Sequence, residues 1–167
     1  MDELLFLAAS ASHVDLKECT VTDGNGSIVQ LEKIVANLPK LKMFSITFNQ
    51  NVSNISTNTV KELIKLLPFS NISRFFMLQI PDSFDIETMY EYLKKTQKNF
   101  FLWLEFSSSI SDAYFSRLEA IVDDIVETSS SFNYVHPFIR IPNLNANKHR
   151  ALRVLFKEHR HLWKPQI

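Results

Sequence analysis

The chain has 167 residues, 46% hydrophobic and 22% charged, with a formal net charge of zero. That length sustains one domain with a sizeable core, and the neutral balance gives no global pull towards nucleic acid or acidic partners. One cysteine, Cys19, excludes an internal disulfide and suits a reducing compartment, so the expected address is cytoplasmic or nuclear.

The first stretch, "MDELLFLAASAS", has too short an apolar run and acidic residues where a signal peptide carries basic ones. No segment reaches the ~20 apolar residues of a membrane span. Strand candidates then alternate with helical stripes. The strands are "HVDLKECTV" (13–21), "KMFSITF" (42–48), "SRFFMLQI" (73–80), "FFLWLEFS" (100–107) and "YVHPFIRI" (134–141). Between them lie four stripes of helical period: Ile28, Leu31, Val35 and Leu38; Val60, Leu63, Ile64 and Leu67; Ile86, Met89, Tyr90 and Leu93; Tyr114, Leu118, Ile121 and Ile125. Start signals precede them, with capping boxes at Ser27/Gln30 and Thr59/Glu62, an N-cap at Asp85, and Ser111 and Asp112 ahead of the fourth. Both glycines fall in "DGNG" (23–26), so hairpin turns of the glycine type are not available later, and parallel strands with helical crossovers are expected.

The units recur. "LKMFSITFN" (41–49) follows the leucine-rich-repeat pattern through Leu41, Phe44, Ile46 and Asn49, and "ASHVDLKEC" (11–19) follows it through Val14, Leu16 and Cys19. Ile72, Phe75 and Met77 keep it, whereas Phe101, Leu104 and Phe106 fit loosely. Anchors at Val14, Phe44, Phe75 and Leu104 stand 30, 31 and 29 residues apart. A period of this length predicts an α/β fold of the leucine-rich-repeat type, a βα solenoid with a parallel sheet in a single domain spanning residues 1–167. Residues 143–167 form its C-terminal cap, with Leu152, Leu155, Phe156 and Trp163 facing the last repeat. Because "FFML" and "FFLWLEF" are apolar on both faces, a layered α/β sheet with helices on both faces is the alternative.

Chemical motifs are sparse. "VTDGNGSIVQLE" (21–32) resembles a calcium loop, but Val21 stands where the first carboxylate belongs, and a turn whose glycines take positive φ is the better reading. His159 and His161 are two apart, the wrong spacing for one helix face, and no metal or other cofactor is expected. Cys19, at the Asn/Cys place of a repeat, is expected beneath the turn as a packing residue. No phosphate loop or nucleophile elbow is present. The acids Asp112, Glu119, Asp123, Asp124 and Glu127 fall away from the apolar stripe of their helix. Residues 145–167 carry six basic residues and one acidic, net +5, against net −5 for residues 1–144. The basic tail is expected to dock beside that acidic helix, and nucleic-acid binding through it is the lesser reading.

The run "FDIETMYEYLKKTQ", "FFLWLEFSSSISDAYFSRLEAIVDDIVE", "YVHPFIRI" resembles the C-terminal half of the nematode family of F-box proteins. Ile110, Ser111, Asp112, Tyr114, Arg117, Leu118, Ile121, Asp123, Asp124 and Ile125 match its helix pattern, and the resemblance covers residues 73–145. It implies the substrate-recognition region of a ubiquitin-ligase adaptor, a protein-binding module and not an enzyme. No F-box-like segment precedes the first repeat, so binding of the Skp1 adaptor by the usual route is not expected.

The face of the strands turned away from the helices then carries His13, Asp15, Met43, Ser45, Thr47, Arg74, Phe76, Trp103, Glu105, Phe138 and Arg140. Arg74, Phe76, Trp103, Glu105 and Arg140 are the expected contacts to a protein partner, since aromatic and arginine side chains anchor interfaces. The enzyme alternative would place a site at the carboxyl ends of the strands, near Asn49, Asp82 and Ser107.

Overall fold

The computed structural model describes residues 8, 10–49, 54–96, 101–129 and 135–158. His159, His161, Trp163 and most of the N-terminal stretch lie outside the described residues, as do Phe100 and Tyr134 at two expected strand starts. Among the described residues the chain is α/β, with five strands and six helices. The strands are β1 (His13–Lys17), β2 (Met43–Thr47), β3 (Arg74–Ile80), β4 (Phe101–Phe106) and β5 (Phe138–Arg140). The helices are α1 (Leu31–Ala36), α2 (Thr59–Leu63), α3 (Leu67–Asn71), α4 (Ile86–Thr96), α5 (Asp112–Thr128) and α6 (Ala146–Glu158). The sheet is parallel throughout and its order, β1-β2-β3-β4-β5, is chain order.

Alternation in the strands divides the sheet into two faces. Val14, Leu16, Phe44, Ile46, Phe75, Met77, Leu102, Leu104, Phe106 and Ile139 are buried and join one core. The helices close it with Leu31, Ile34 and Val35, then Val60 and Leu63, Phe69, Met89 and Leu93, and finally Leu118, Val122 and Ile125. Register pairs Val14 with Phe44, Phe44 with Phe75, and Phe75 with Leu102. Leu102, not Leu104, is therefore the fourth anchor, and the successive spacings are 30, 31 and 27 residues. The two residues point the same way, so the error left the face unchanged. Phe101 does change face: inward positions are 102, 104 and 106, and Phe101 stands outside. A bulge between Met77 and Ile80, with Gln79 at φ 60°, restores Ile80 to the core opposite Phe106.

Several local expectations needed correction. α1 begins at Leu31, and Ser27 is not in a capping box. Instead Asp23 accepts the amides of Asn25 and Ser27, and Thr22 bridges Ile28 antiparallel, so Ile28 is 40% exposed. Only Gly26 takes positive φ (78°) in that turn. Thr59 does not share a box with Glu62: its buried hydroxyl accepts the amide of Ser56, before α2. The second stripe breaks into α2 and α3 because Pro68 cannot continue a helix but can start one, and Leu67 is left 74% exposed. Cys19 is exposed and not tucked under a turn; Glu18, at φ 47°, redirects the chain as β1 ends. The caps at Asp85 and Ser111 are present, accepting the amides of Thr88 (3.0 Å) and Tyr114 (3.3 Å).

The cap at the β5 end is α6. Lys148 reaches Glu119 (3.0 Å) and Asp123 (2.7 Å) on α5, and Leu152 is buried in the core. The basic segment thus docks against the acidic helix as expected. Its other side does something the sequence reading missed: Phe156 lies over the outer face of β4 and β5.

Candidate functional site

At the β1–β2 end the outer face is polar, with His13, Asp15 and Lys17 exposed and Asp15 paired to Lys17 at 3.1 Å. At the β3–β5 end it is aromatic. The ring of Phe76 lies 5.4 Å from that of Phe101, and Phe101 lies 4.9 Å from Phe156. Trp103 packs on Phe138 at 4.2 Å and meets Phe156 edge-on at 5.7 Å. These rings form the floor and one wall of a groove with a cavity volume of about 440 Å³. Its remaining lining is cationic or titratable: Arg140, His149, Arg153 and Lys157.

Each contributor is placed by local sequence. Phe76, Trp103 and Phe138 occupy outward positions on three adjacent strands, and register sets Phe76 beside Trp103 and Trp103 beside Phe138. On α6, His149, Arg153 and Phe156 recur at i, i+4 and i+7 and share one helix face. Lys148, Leu152 and Leu155 form the adjoining stripe, one residue earlier, and that stripe faces α5 and the core. One helix therefore fastens the end of the sheet with one stripe and walls the groove with the next.

Of the five expected contact residues, Phe76, Trp103 and Arg140 line the groove. Glu105 stands just outside it and holds Arg140 through Oε2–Nη1 at 3.3 Å. Arg74 shares the face, opposite Phe101 and Met43 in register, but does not line the groove. Phe101, Phe156, His149, Arg153 and Lys157 were not among the expected contacts. The i, i+4, i+7 spacing in 149–156 was the signal available for three of them.

The exposed cations outnumber the acid. Arg140, Arg153 and Lys157 are exposed, and only Arg140 is ion-paired among the described residues. Residues at the carboxyl ends of the strands have local partners. Asp82 accepts the Ser111 amide at 3.0 Å, and Ser107 Oγ lies 2.8 Å from Ser109 Oγ. Asn49 is half-buried in a small cleft beside Cys19. No group of three or more metal-binding side chains occurs among the described residues, and no described helix is long and apolar enough to cross a membrane.

Compared with protein-family models, curated proteins and solved structures, the chain matches none.

Proposed function

We propose that the chain is a non-enzymatic protein-interaction module, a leucine-rich-repeat-like βα solenoid whose outer sheet face receives a protein partner. The carrying observation is the aromatic groove at β3–β5, where Phe76 and Trp103 are half-buried although they stand on the face away from the main core. Solvent-facing positions on a sheet are ordinarily polar, as at β1 here, and a concave patch of large rings marks a place where something docks. Chain-order pairing with spacings close to thirty residues favours the solenoid reading. The resemblance of residues 73–145 to the substrate-recognition half of F-box adaptors supports the same class of role. Its matching residues, such as Tyr114, Leu118, Ile121 and Ile125, are buried in the core, so it carries fold and class but no contact residues. The single cysteine supports a cytoplasmic or nuclear address for it.

A peptide library displayed on phage and panned against the immobilised chain tests this. Enriched peptides are expected to lose about tenfold or more in affinity for Trp103→Ala or Arg140→Glu. Circular dichroism is expected to show both variants folded. Failure to enrich any peptide, or enriched peptides indifferent to both substitutions, overturns the proposal.

A further inference from the structure

We infer that the groove selects an acidic peptide segment carrying one bulky apolar anchor residue. This deepens the proposed function and rests on its reading of the outer face as a binding surface. The anchor follows from shape and polarity. A cavity of about 440 Å³ floored by Phe76, Phe101 and Trp103 lies in the size range of sites that enclose a small ligand, roughly 300–1,000 Å³. It takes one large side chain with its flanking backbone.

The acidic character follows from the wall. Arg140, Arg153 and Lys157 stand along the β5–α6 side of the groove, against one carboxylate among the described residues, that of Glu105. A peptide in extended form advances about 3.3 Å per residue, so carboxylates two or three positions from the anchor lie within roughly 7–10 Å of it. That is comparable with the Debye length, about 8 Å at physiological salt and about 10 Å at 0.1 M, so those cations still attract, and more strongly at low salt.

The same ingredients, rings and cations, serve single-stranded nucleic acid, but their arrangement here does not suit it. Binding a phosphate chain calls for a cationic track and flat ring faces on which successive bases stack. The cations of the groove instead gather at the β5–α6 end; Arg74 on β3 stands outside it, and towards β1 the face carries Lys17 already paired with Asp15. The rings are interlocked, Trp103 and Phe156 at 83° and Phe101 and Phe156 at 60°, each covering another's face. The groove is also an apolar slot walled on one side by a helix, which fits a side chain better than a ladder of bases.

The test is fluorescence anisotropy with labelled synthetic peptides of equal length. One carries a central tryptophan flanked by aspartates and glutamates, a second has alanine at the centre, and a third has lysines for the acids. An oligothymidylate is the fourth probe. The first peptide is expected to bind, with the second and third at least about tenfold weaker. Double replacement Arg153→Glu/Lys157→Glu, on exposed positions, is expected to weaken the first peptide and to narrow the gap to the third. Equal binding of acidic and basic peptides, indifference to the double replacement, or preference for the oligothymidylate overturns the inference. Panned peptides that need Trp103 but are neutral or basic also overturn it while leaving the interaction-module reading standing; no enriched peptide at all removes both.

Discussion

Phe75 and Phe76 are adjacent in β3 and chemically identical, yet they belong to different environments. Phe75 is fully buried, stacked on Phe44 at 5.5 Å and met edge-on by Phe69 at 5.4 Å. Phe76 points the other way, half-exposed, against Phe101 at the mouth of the groove. The inner ring is held by the layer of helices packed on that face of the sheet. The outer ring meets Phe101, which is covered in turn by Phe156 of a single helix, α6. Stability and the proposed recognition are thus separated by one residue of register, and that separation can be tested.

The largest effect is expected on the inner face. Phe75→Ala should cost about 3–5 kcal/mol in urea denaturation, from lost transfer energy plus an unfilled cavity. Phe76→Ala should cost well under half of that, since its ring already meets solvent. Equal losses would mean that the two faces are energetically one core. Next, Leu152→Ala, at the buried side of α6, should cost about 2–4 kcal/mol. In a Trp163→Phe background it should also red-shift Trp103 emission, as the helix that carries Phe156 loosens. An unshifted spectrum would show that the outer wall stands without its inner anchor.

Smaller effects divide the two sides of α5. Tyr114 is buried and its hydroxyl donates to the Phe84 carbonyl at 2.5 Å. Tyr114→Phe should cost about 1 kcal/mol. Burial, then the Glu87 charge, raises the Tyr114 pKa well above the ordinary phenol value. The folded state therefore keeps this proton when the unfolded chain releases it. Its contribution is full below about pH 10 and declines as pH rises past that value, so the wild type should lose stability there and Tyr114→Phe should lose less. Smallest is Arg117→Ala. Arg117, three residues along, binds Glu87 on α4 in bidentate fashion at 2.5 and 2.6 Å, but half-exposed. A loss of about 0–1 kcal/mol, shrinking in high salt, is expected.

The inner face was legible because its rule is simple. In β1 and β2 apolar and polar residues alternate, and the buried set Val14, Leu16, Phe44 and Ile46 follows directly. In β3 and β4 both faces are apolar, so alternation is silent, and only the pairing of Phe101 with Arg74 fixes which face Phe101 takes. Pairing is a long-range fact, and a 27-residue unit in an otherwise thirty-residue series could not be counted from neighbours. The break before Leu67–Pro68 is hidden in the sequence because Val60, Leu63, Ile64 and Leu67 keep one helical period across it, whereas Pro stops one helix and opens the next. The groove was half legible. Its strand residues other than Phe101 are on the outward list, whereas Phe156, Arg153 and His149 belong to a helix whose direction over the sheet no local pattern gives.

Because strand order is chain order, and α1 meets α2 and α3, α2 meets α4, α4 meets α5 and α5 meets α6, each strand–helix segment has its partner at hand as soon as it emerges from synthesis. Assembly can proceed like a zip, from the first strand onward, with little searching among distant segments. The groove, built from the last elements of the series, is completed only when that zip has run to its end, so a chain halted midway would hold much of its core and none of its grip.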